Sequence, residues 1–189
     1  MDKQRAILTA AQTLFARFGL KKVTTDDIAK EAKVSKATVY KYYTNKVVIF
    51  REVVAIESNL LLEAIRKAVD SQTTAAGKFR AHLLTKMARI KDLVNFYQVT
   101  QEPGDRYWPY ISEAREEFAR DEKKIVADML RHGIEQNELD VPQIDLVAHM
   151  MVTSLHSQEM AWAKSDLGVS LESYIDTMTD VMINGIRKR

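Results

Sequence analysis

The chain carries apolar residues at helical spacing through most of its length. In the first segment they recur every three or four positions, at Ile7, Ala11, Leu14, Phe15 and Phe18. This period predicts an amphipathic helix, and Gly19 suits the left-handed position that ends many helices. Long segments of the same kind follow without β-type alternation, interrupted by only three prolines and six glycines. The predicted fold class is therefore all-α.

The segment TTDDIAKEAKVSKATVYKYYTNK, residues 24–46, predicts two short helices joined by a tight turn. Thr24 or Thr25 precedes two aspartates, and Ser35 precedes the run 36–43, so each helix has a hydroxyl placed to cap its free N–H groups. A small apolar core would be shared by Ile28, Ala29, Ala32, Val34, Val39 and Tyr43. Such a helix-turn-helix places its second helix in the major groove of DNA.

The outer face of the second helix carries the candidate base contacts. Lys36 is the best candidate for a guanine contact. Ala37 keeps the backbone close to the bases, and Thr38 suits a phosphate or a thymine methyl group. These side chains do not specify an operator sequence.

Phosphate contacts are predicted at the end of the same segment, from Tyr40, Tyr42 and Lys46. Lys46 follows Thr44, a candidate N-cap of the next helix, where backbone N–H groups also attract phosphate. The first 46 residues contain ten Lys or Arg and four Asp or Glu, a net charge of +6. Concentrated positive charge of this kind is typical of a phosphate-binding surface. A helical hairpin with a solvated basic face is the alternative.

The run from Ile7 to Phe50 resembles the N-terminal domain of the TetR/AcrR family of bacterial transcription regulators. The shared features are the Phe-Gly end of the first helix, the Thr that opens the second, Val-Ser-Lys before the recognition helix, and Val-Tyr-x-Tyr-Tyr at its end. The resemblance implies DNA contacts at Thr25, Lys36, Thr38, Tyr40, Tyr42 and Lys46. Lys33 stands where the family often has Gly and Tyr42 where it often has His. A lysine held at positive φ would be strained by about 1 kcal/mol.

Beyond residue 46 the pattern predicts further helices. They span about 45–70, 76–100, 110–120, 121–136, 142–165 and 170–187, with a loop at 102–110. Together with the resemblance, this divides the chain into a DNA-binding domain, residues 1–46, and an effector-binding and dimerisation domain, residues 47–189.

Apolar stripes on the last two predicted helices indicate an interface. They contain Met151, Leu155, Leu171, Ile175, Met178 and Met182. The resemblance implies that these helices pack against their copies in a homodimer, which would place two recognition helices about 34–36 Å apart, one turn of DNA. An ordinary intramolecular core is the alternative.

A ligand pocket is expected among the middle helices. Its candidate lining combines methionines with aromatic side chains: Met87, Phe96, Tyr97, Trp108, Met129, Met150, His156 and Trp162. Such a lining suits a hydrophobic or aromatic effector. Each residue taken alone is more often an ordinary core residue than part of a pocket.

Several absences argue against other classes of protein. Without cysteine there is no disulfide scaffold, thiolate metal site or cysteine nucleophile. His149 and His156 are two helical turns apart, too far to share a zinc ion without other ligands. No phosphate loop, nucleophile elbow or dinucleotide motif is present. We therefore expect no enzymatic activity, no cofactor and no metal.

The N-terminus shows no apolar signal segment, and no stretch approaches the roughly 18 apolar residues of a membrane span. We therefore expect a cytoplasmic protein whose partners are double-stranded DNA, a second copy of itself and a small-molecule effector. The resemblance makes a repressor released by its effector the expected function. The alternatives are a DNA-bound accessory protein of the same fold that acts through protein partners, and an enzyme or carrier on a helical scaffold.

Overall fold

A computed structural model describes residues 2–89, 108–164 and 168–186. Every regular element in these residues is an α-helix, which confirms the all-α class. The helices are α1 (Lys3–Lys22), α2 (Thr25–Glu31), α3 (Lys36–Tyr42), α4 (Lys46–Asp70), α5 (Ala75–Ala88), α6 (Trp108–Glu135), α7 (Ile144–Lys164) and α8 (Leu171–Asn184). Within these ranges, no helix is both long and apolar enough to span a membrane.

Most helix boundaries agree with the sequence to within a few residues, but α6 does not. The sequence suggested two helices, 110–120 and 121–136, where the structure has one continuous helix from Trp108 to Glu135. The junction contains neither Gly nor Pro, so nothing in the backbone ends the helix there. The predicted loop 102–110 is wrong at its last three positions, which are helical, and its remaining residues lie outside the described ranges.

Contacts divide the chain into two compact units. The first unit contains Met1–Asn59 and Asp92–Glu116, and the second contains Leu60–Lys91 and Glu117–Arg189. This division falls inside α4, because the N-terminal part of α4 packs against α1. The rings of Phe15 on α1 and Phe50 on α4 meet edge to face, with centroids 5.1 Å apart.

The first unit has a small, well-buried core. Its fully covered side chains come from four helices: Ile7, Ala11, Phe15, Ile28, Val39 and Ile49. At the end of α1, Gly19 has φ 76° and ψ 157° and interrupts the helical geometry, although helical turns continue to Lys22. The predicted positive φ at Gly19 is therefore confirmed, and the regular helical geometry breaks at the residue where the sequence placed the end of the helix.

The second unit is built around α5, whose buried residues face α6 and α8. An exposed ion pair between Arg80 on α5 and Asp176 on α8, 2.6 Å long, lies at the α5–α8 contact. A Cβ atom added to Gly133 would lie 2.5 Å from Leu139 Cδ1 and 2.8 Å from Ala75 Cβ. Only glycine at this position allows α6 to approach its neighbours so closely.

Three ionisable side chains lie in the interior of this second unit. His82 Nε2 is 2.8 Å from Glu122 Oε1, and Lys86 Nζ is 2.6 Å from the same oxygen. Each of the three side chains is at most 2% exposed. Burial raises the pKa of the Glu122 carboxyl, but the Lys86 ammonium and the hydrogen bonds from His82 and Lys86 lower it to about 2. We call these three residues the buried triad.

Candidate nucleic-acid interface

The start of α2 is fixed by a reciprocal cap between Thr24 and Asp27. Thr24 Oγ1 accepts a hydrogen bond from the Asp27 backbone N–H at 3.2 Å, and the Asp27 carboxylate accepts one from the Thr24 N–H at 2.9 Å. The Thr24 hydroxyl also donates to this carboxylate at 2.6 Å. These hydrogen bonds from Thr24 lower the pKa of Asp27. Thr24, not Thr25, is therefore the N-cap.

The turn after α2 is closed by two backbone hydrogen bonds typical of a Schellman motif. Val34 N–H donates to the Ala29 carbonyl at 3.0 Å, and Lys33 N–H donates to the Lys30 carbonyl at 3.2 Å. The motif requires a left-handed residue at its C′ position, and Lys33 occupies it with φ 54°. The strained lysine expected from the sequence is present.

The recognition helix α3 starts at a second cap. Ser35 Oγ accepts a hydrogen bond from the Thr38 backbone N–H at 3.1 Å and lies 2.9 Å from Thr38 Oγ1. Val39 is fully buried against the rest of the first unit. Because one face of α3 is fixed in this way, its opposite face is turned to solvent.

The solvent face carries most of the side chains that the sequence assigned to DNA. Lys36, Ala37, Tyr40 and Tyr42 are exposed, with Tyr40 at 48% and Tyr42 at 41%, whereas Thr38 is half-buried. Aromatic side chains this exposed are not part of the core of the unit that carries them. They are available to contact a nucleic acid backbone.

Two side-chain contacts join this face to the start of α2. Thr25 Oγ1 lies 3.2 Å from the Tyr40 hydroxyl. Lys36 Nζ lies 2.8 Å from Asp26 Oδ1, and the hydrogen bond to Asp26 raises the pKa of Lys36. The sequence identified Asp26 only as an acid in the first turn of a helix. Asp26 lies ten residues before Lys36 in the chain, and only the crossing of α2 and α3 brings the two side chains together.

Lys46 has a different environment from the one predicted. Its ammonium donates to the carbonyls of Leu20 and Val23, both at 2.8 Å, and of Lys21 at 3.1 Å. These acceptors use the three donors of the ammonium group and satisfy carbonyls at the end of α1. This geometry favours a structural role for Lys46 over direct contact with phosphate.

The cap of α4 is also corrected by the structure. The sequence suggested Thr44, but Asn45 Oδ1 accepts hydrogen bonds from the N–H groups of Val47 at 2.9 Å and Val48 at 3.1 Å. An asparagine side chain one residue later satisfies the same free donors.

The predicted interface residues fall into two groups. Met151, Leu155 and Ile175 are at most 5% exposed within a single chain, so they belong to its own core and are unavailable to a partner. Leu171, Met178 and Met182 are half-buried and stay accessible. Val181, which lies beside the predicted stripe on α8, is 71% exposed.

The predicted pocket residues also differ in placement. Met87 and Met129 are buried in the second unit, and His156 is half-buried. Trp162 is half-buried with its ring 4.9 Å from that of Tyr174. Phe96, Tyr97 and the side chain of Trp108 lie outside what the structure describes.

Met150 is a correction to the pocket prediction. It is 58% exposed, and Leu146, one turn earlier on α7, is 50% exposed. A side chain this exposed does not line an enclosed pocket. The outward apolar residues are therefore Leu146 and Met150 on α7, and Met178, Val181 and Met182 on α8. We call them the C-terminal apolar face.

In the bundle of α1 to α3, the capped recognition helix α3 has an outer face that combines a lysine, hydroxyl groups and exposed tyrosines. Together with the fold, this site defines the chain as a helix-turn-helix DNA-binding regulator of transcription. Residues 7–53 match the family model for bacterial regulatory proteins of the tetR family. Residues 7–53 therefore carry the N-terminal domain of tetR-family bacterial regulatory proteins, and the curated relatives of the chain are HTH-type transcriptional regulators.

Relatives and solved structures match over almost the whole chain. The HTH-type transcriptional regulator YhgD of Bacillus subtilis (strain 168) is 22% identical, with the alignment covering 98% of this chain and 97% of YhgD. A transcriptional regulator from Cytophaga hutchinsonii ATCC 33406 has a TM-score of 0.80 at 23% identity and 100% coverage of both chains. FadR from Bacillus subtilis, solved in complex with stearoyl-CoA, has a TM-score of 0.71 at 19% identity and covers 96% of this chain and 98% of its own.

Proposed function

We propose that this helix-turn-helix regulator is a homodimeric repressor that binds a palindromic operator and leaves it when a hydrophobic effector binds. The observation that carries the proposal is the solvent face of α3, where Lys36, Tyr40 and Tyr42 stand exposed on a helix fixed by a buried Val39. Cations and hydroxyl groups on a helix of this kind suit phosphates and base edges in the major groove.

Dimerisation is supported by the C-terminal apolar face. Val181 is 71% exposed and Met150 is 58% exposed, although both belong to helices whose other sides are buried. Exposed apolar patches of this kind mark surfaces that associate. A two-fold dimer would present two α3 helices to DNA, which explains why the expected operator is an inverted repeat.

The effector we propose is a compound with a long apolar chain, and a long-chain acyl-CoA is the first candidate. FadR from Bacillus subtilis, which shares the fold, was solved with stearoyl-CoA. The buried methionines Met87 and Met129 of the second unit suit such a ligand, because an unbranched thioether side chain adapts to an irregular apolar surface. Tighter binding to one dimer conformation than to the other would shift the population away from the DNA-binding state.

The first experiment is selection of binding sites from a random duplex pool with the purified protein. We expect an inverted repeat whose half-sites lie about one helical turn apart, or somewhat further. The affinity for the recovered site should fall steeply with salt, by about 0.9 in log K per phosphate neutralised for each unit of log salt. Recovery of no sequence above background would contradict the proposal.

Variants show whether α3 makes the contact. Lys36→Ala should weaken binding to the selected site by about tenfold, the effect of losing one good base contact. Lys67→Ala is the matched control, since it removes the same charge from an exposed position on α4. Equal binding by both variants would mean that α3 does not read DNA.

The effector is tested on the protein–operator complex. We expect stearoyl-CoA to release the operator, whereas coenzyme A alone at the same concentration should leave the complex intact. Release by neither compound would overturn the acyl-CoA assignment while leaving the DNA-binding proposal standing, because that proposal is measured without effector.

A further inference from the structure

The ion pair between Asp26 and Lys36 joins the first turn of α2 to the first residue of α3. Lys36 Nζ lies 2.8 Å from Asp26 Oδ1 and 3.0 Å from Oδ2. Both side chains are more than half exposed, at 62% for Asp26 and 55% for Lys36. An exposed pair of this kind adds little to stability. Its position on the solvent face of the recognition helix points instead to a role in binding.

Asp26 differs from the neighbouring Asp27 in what its carboxylate does. Asp27 is occupied by the cap of α2, where it accepts hydrogen bonds from the Thr24 N–H and hydroxyl. The Asp26 carboxylate is not part of this cap. It accepts a hydrogen bond from Lys36 Nζ, across the turn. A negative charge on a surface that approaches phosphates weakens non-specific binding. We therefore expect the Asp26 carboxylate to make a favourable contact at the specific site that offsets its repulsion from the phosphates.

We propose that Asp26 and Lys36 act as one unit that reads a single G·C base pair in each half-site, the Lys36 ammonium donating to guanine O6 and N7 and the Asp26 carboxylate accepting from cytosine N4. This inference rests on the proposed function, since it requires α3 in a major groove. It assigns to Asp26 a role in specificity that the sequence did not suggest.

The spacing of the two groups, like that of any hydrogen-bonded donor and acceptor, is compatible with the edge of a base pair. Guanine O6 and cytosine N4 are partners in a Watson–Crick hydrogen bond, so they lie about 2.9 Å apart at the groove edge. The Lys36 Nζ to Asp26 Oδ1 distance is 2.8 Å. A donor and an acceptor at this separation can therefore face an acceptor and a donor at the same separation. The ammonium keeps further N–H groups for the bases while it stays bound to Asp26.

An A·T pair offers a poorer match. Thymine O4 and adenine N6 also present an acceptor beside a donor, but the ammonium then loses the second acceptor, guanine N7, and lies beside the thymine methyl group. The G·C pair is favoured because it alone gives Lys36 two adjacent acceptors.

The orientation of the unit is supported by a second contact between the same helices. Thr25 Oγ1 and the Tyr40 hydroxyl are 3.2 Å apart, one residue from Asp26 and four residues from Lys36 respectively. The two contacts together hold the start of α2 beside the outer face of α3. Side chains held in this way reach the base edges with less loss of conformational freedom.

The test uses the operator recovered by selection, with each base pair of one half-site replaced in turn by the other three. Binding of the full-length protein is measured by competition for wild type, Asp26→Ala, Lys36→Ala and the double variant. Wild type should prefer G·C at one position by about tenfold or more. Asp26→Ala and Lys36→Ala should each reduce that preference, at the same position, and the double variant should reduce it little further.

The matched control is Glu31→Ala, which removes an equal charge from an exposed position at the other end of α2. It should change affinity for all sites alike and leave the base preferences of wild type intact. If Asp26→Ala behaves like Glu31→Ala, or if the two single variants relax different positions, the paired reading is refuted. Failure of wild type to select any inverted repeat would instead refute the proposed function, before the variants are compared.

A modified base tests the contact of Lys36 with guanine separately from the contact of Asp26 with cytosine. Replacing the guanine at that position by 7-deazaguanine removes the N7 acceptor and should weaken wild-type binding several-fold. The same replacement should have little effect on Lys36→Ala, which no longer donates to N7. An equal loss in both proteins would contradict the assignment of Lys36 to that guanine.

Discussion

Replacing Lys33 by glycine should stabilise the protein. Lys33 is the C′ residue of the Schellman motif after α2 and has φ 54°. A side chain with a Cβ atom in this conformation costs about 1–2 kcal/mol, whereas glycine adopts it freely. Both hydrogen bonds of the motif are made by backbone groups, so the substitution leaves them in place.

The gain is reduced by the unfolded state. Glycine makes the unfolded chain more flexible, which costs about 0.4–1 kcal/mol of stability. The difference lies between about 0 and 1.6 kcal/mol, with a central net gain of about 0.8 kcal/mol in the free energy of unfolding. For a chain of this length, 1 kcal/mol corresponds to a shift of about 2–4 °C in Tm.

The assay is urea unfolding and thermal unfolding of the full-length protein, followed by circular dichroism at 222 nm. Lys30→Gly is the matched control, because it removes the same exposed charge three residues earlier, inside α2. There glycine should destabilise the protein by about 0.7–1 kcal/mol. If Lys33→Gly lowers the unfolding free energy as Lys30→Gly does, the backbone strain assigned to Lys33 is refuted.

Further substitutions test other parts of the molecule. Lys86→Met should cost up to about 3–5 kcal/mol in unfolding free energy because it removes the ammonium partner of the buried Glu122 and leaves only His82 beside it, and adding Glu122→Leu should recover part of the loss; no recovery would contradict the pairing. Since the folded-state pKa of Glu122 is about 2, below its ordinary 4.5, its stabilisation is present above pH 4.5 and is lost as pH falls towards 2. Urea unfolding of Glu122→Gln at several pH values should show a smaller acid sensitivity than wild type. Lys46→Met should cost about 1.5–3 kcal/mol by uncapping the end of α1, and an unchanged Tm would exclude this role. Val181→Glu should yield monomers in sedimentation experiments and weaken operator binding, whereas Ser173→Glu, at an exposed polar position of α8 outside the C-terminal apolar face, should remain dimeric; two dimeric variants would place the interface elsewhere.

The N-terminal helices could be predicted because their signals are local. Ser35 lies directly before α3, and its hydroxyl needs only the next few residues to act as a cap. The left-handed position at residue 33 was likewise visible in the sequence, as a turn position where related proteins often have glycine. The structure formed by such local signals depends mainly on the neighbouring residues and little on the rest of the fold.

Contacts between helices were less accessible to sequence reasoning. Met150 and Met151 are neighbours with the same side chain, yet one is 58% exposed and the other 5% exposed. Their spacing fits two adjacent stripes equally well, and only the packing of α7 decides which stripe faces inward. The three carbonyl partners of Lys46 lie more than twenty residues earlier in the chain, so no local pattern could reveal them.

The buried triad was not predicted for the same reason. His82 and Lys86 share a face of α5, but Glu122 lies on α6, in a run of alternating charges, a pattern typical of a solvated surface. The structure places Glu122 in the interior, 1% exposed. A single acid within a charged run can face the core when the partners that neutralise it come from another helix.

The buried triad also constrains how the protein can diverge. Loss of Lys86 alone leaves the Glu122 carboxylate in the interior with only His82 beside it, and loss of Glu122 alone removes the carboxylate that neutralises Lys86, whereas an apolar pair of similar volume at both positions can be neutral or stabilising. Evolution from the charged pair to an apolar pair by single substitutions therefore passes through a less stable sequence in which only one of the two positions has changed. Among proteins descended from a common ancestor with this one, positions 86 and 122 should change together or not at all.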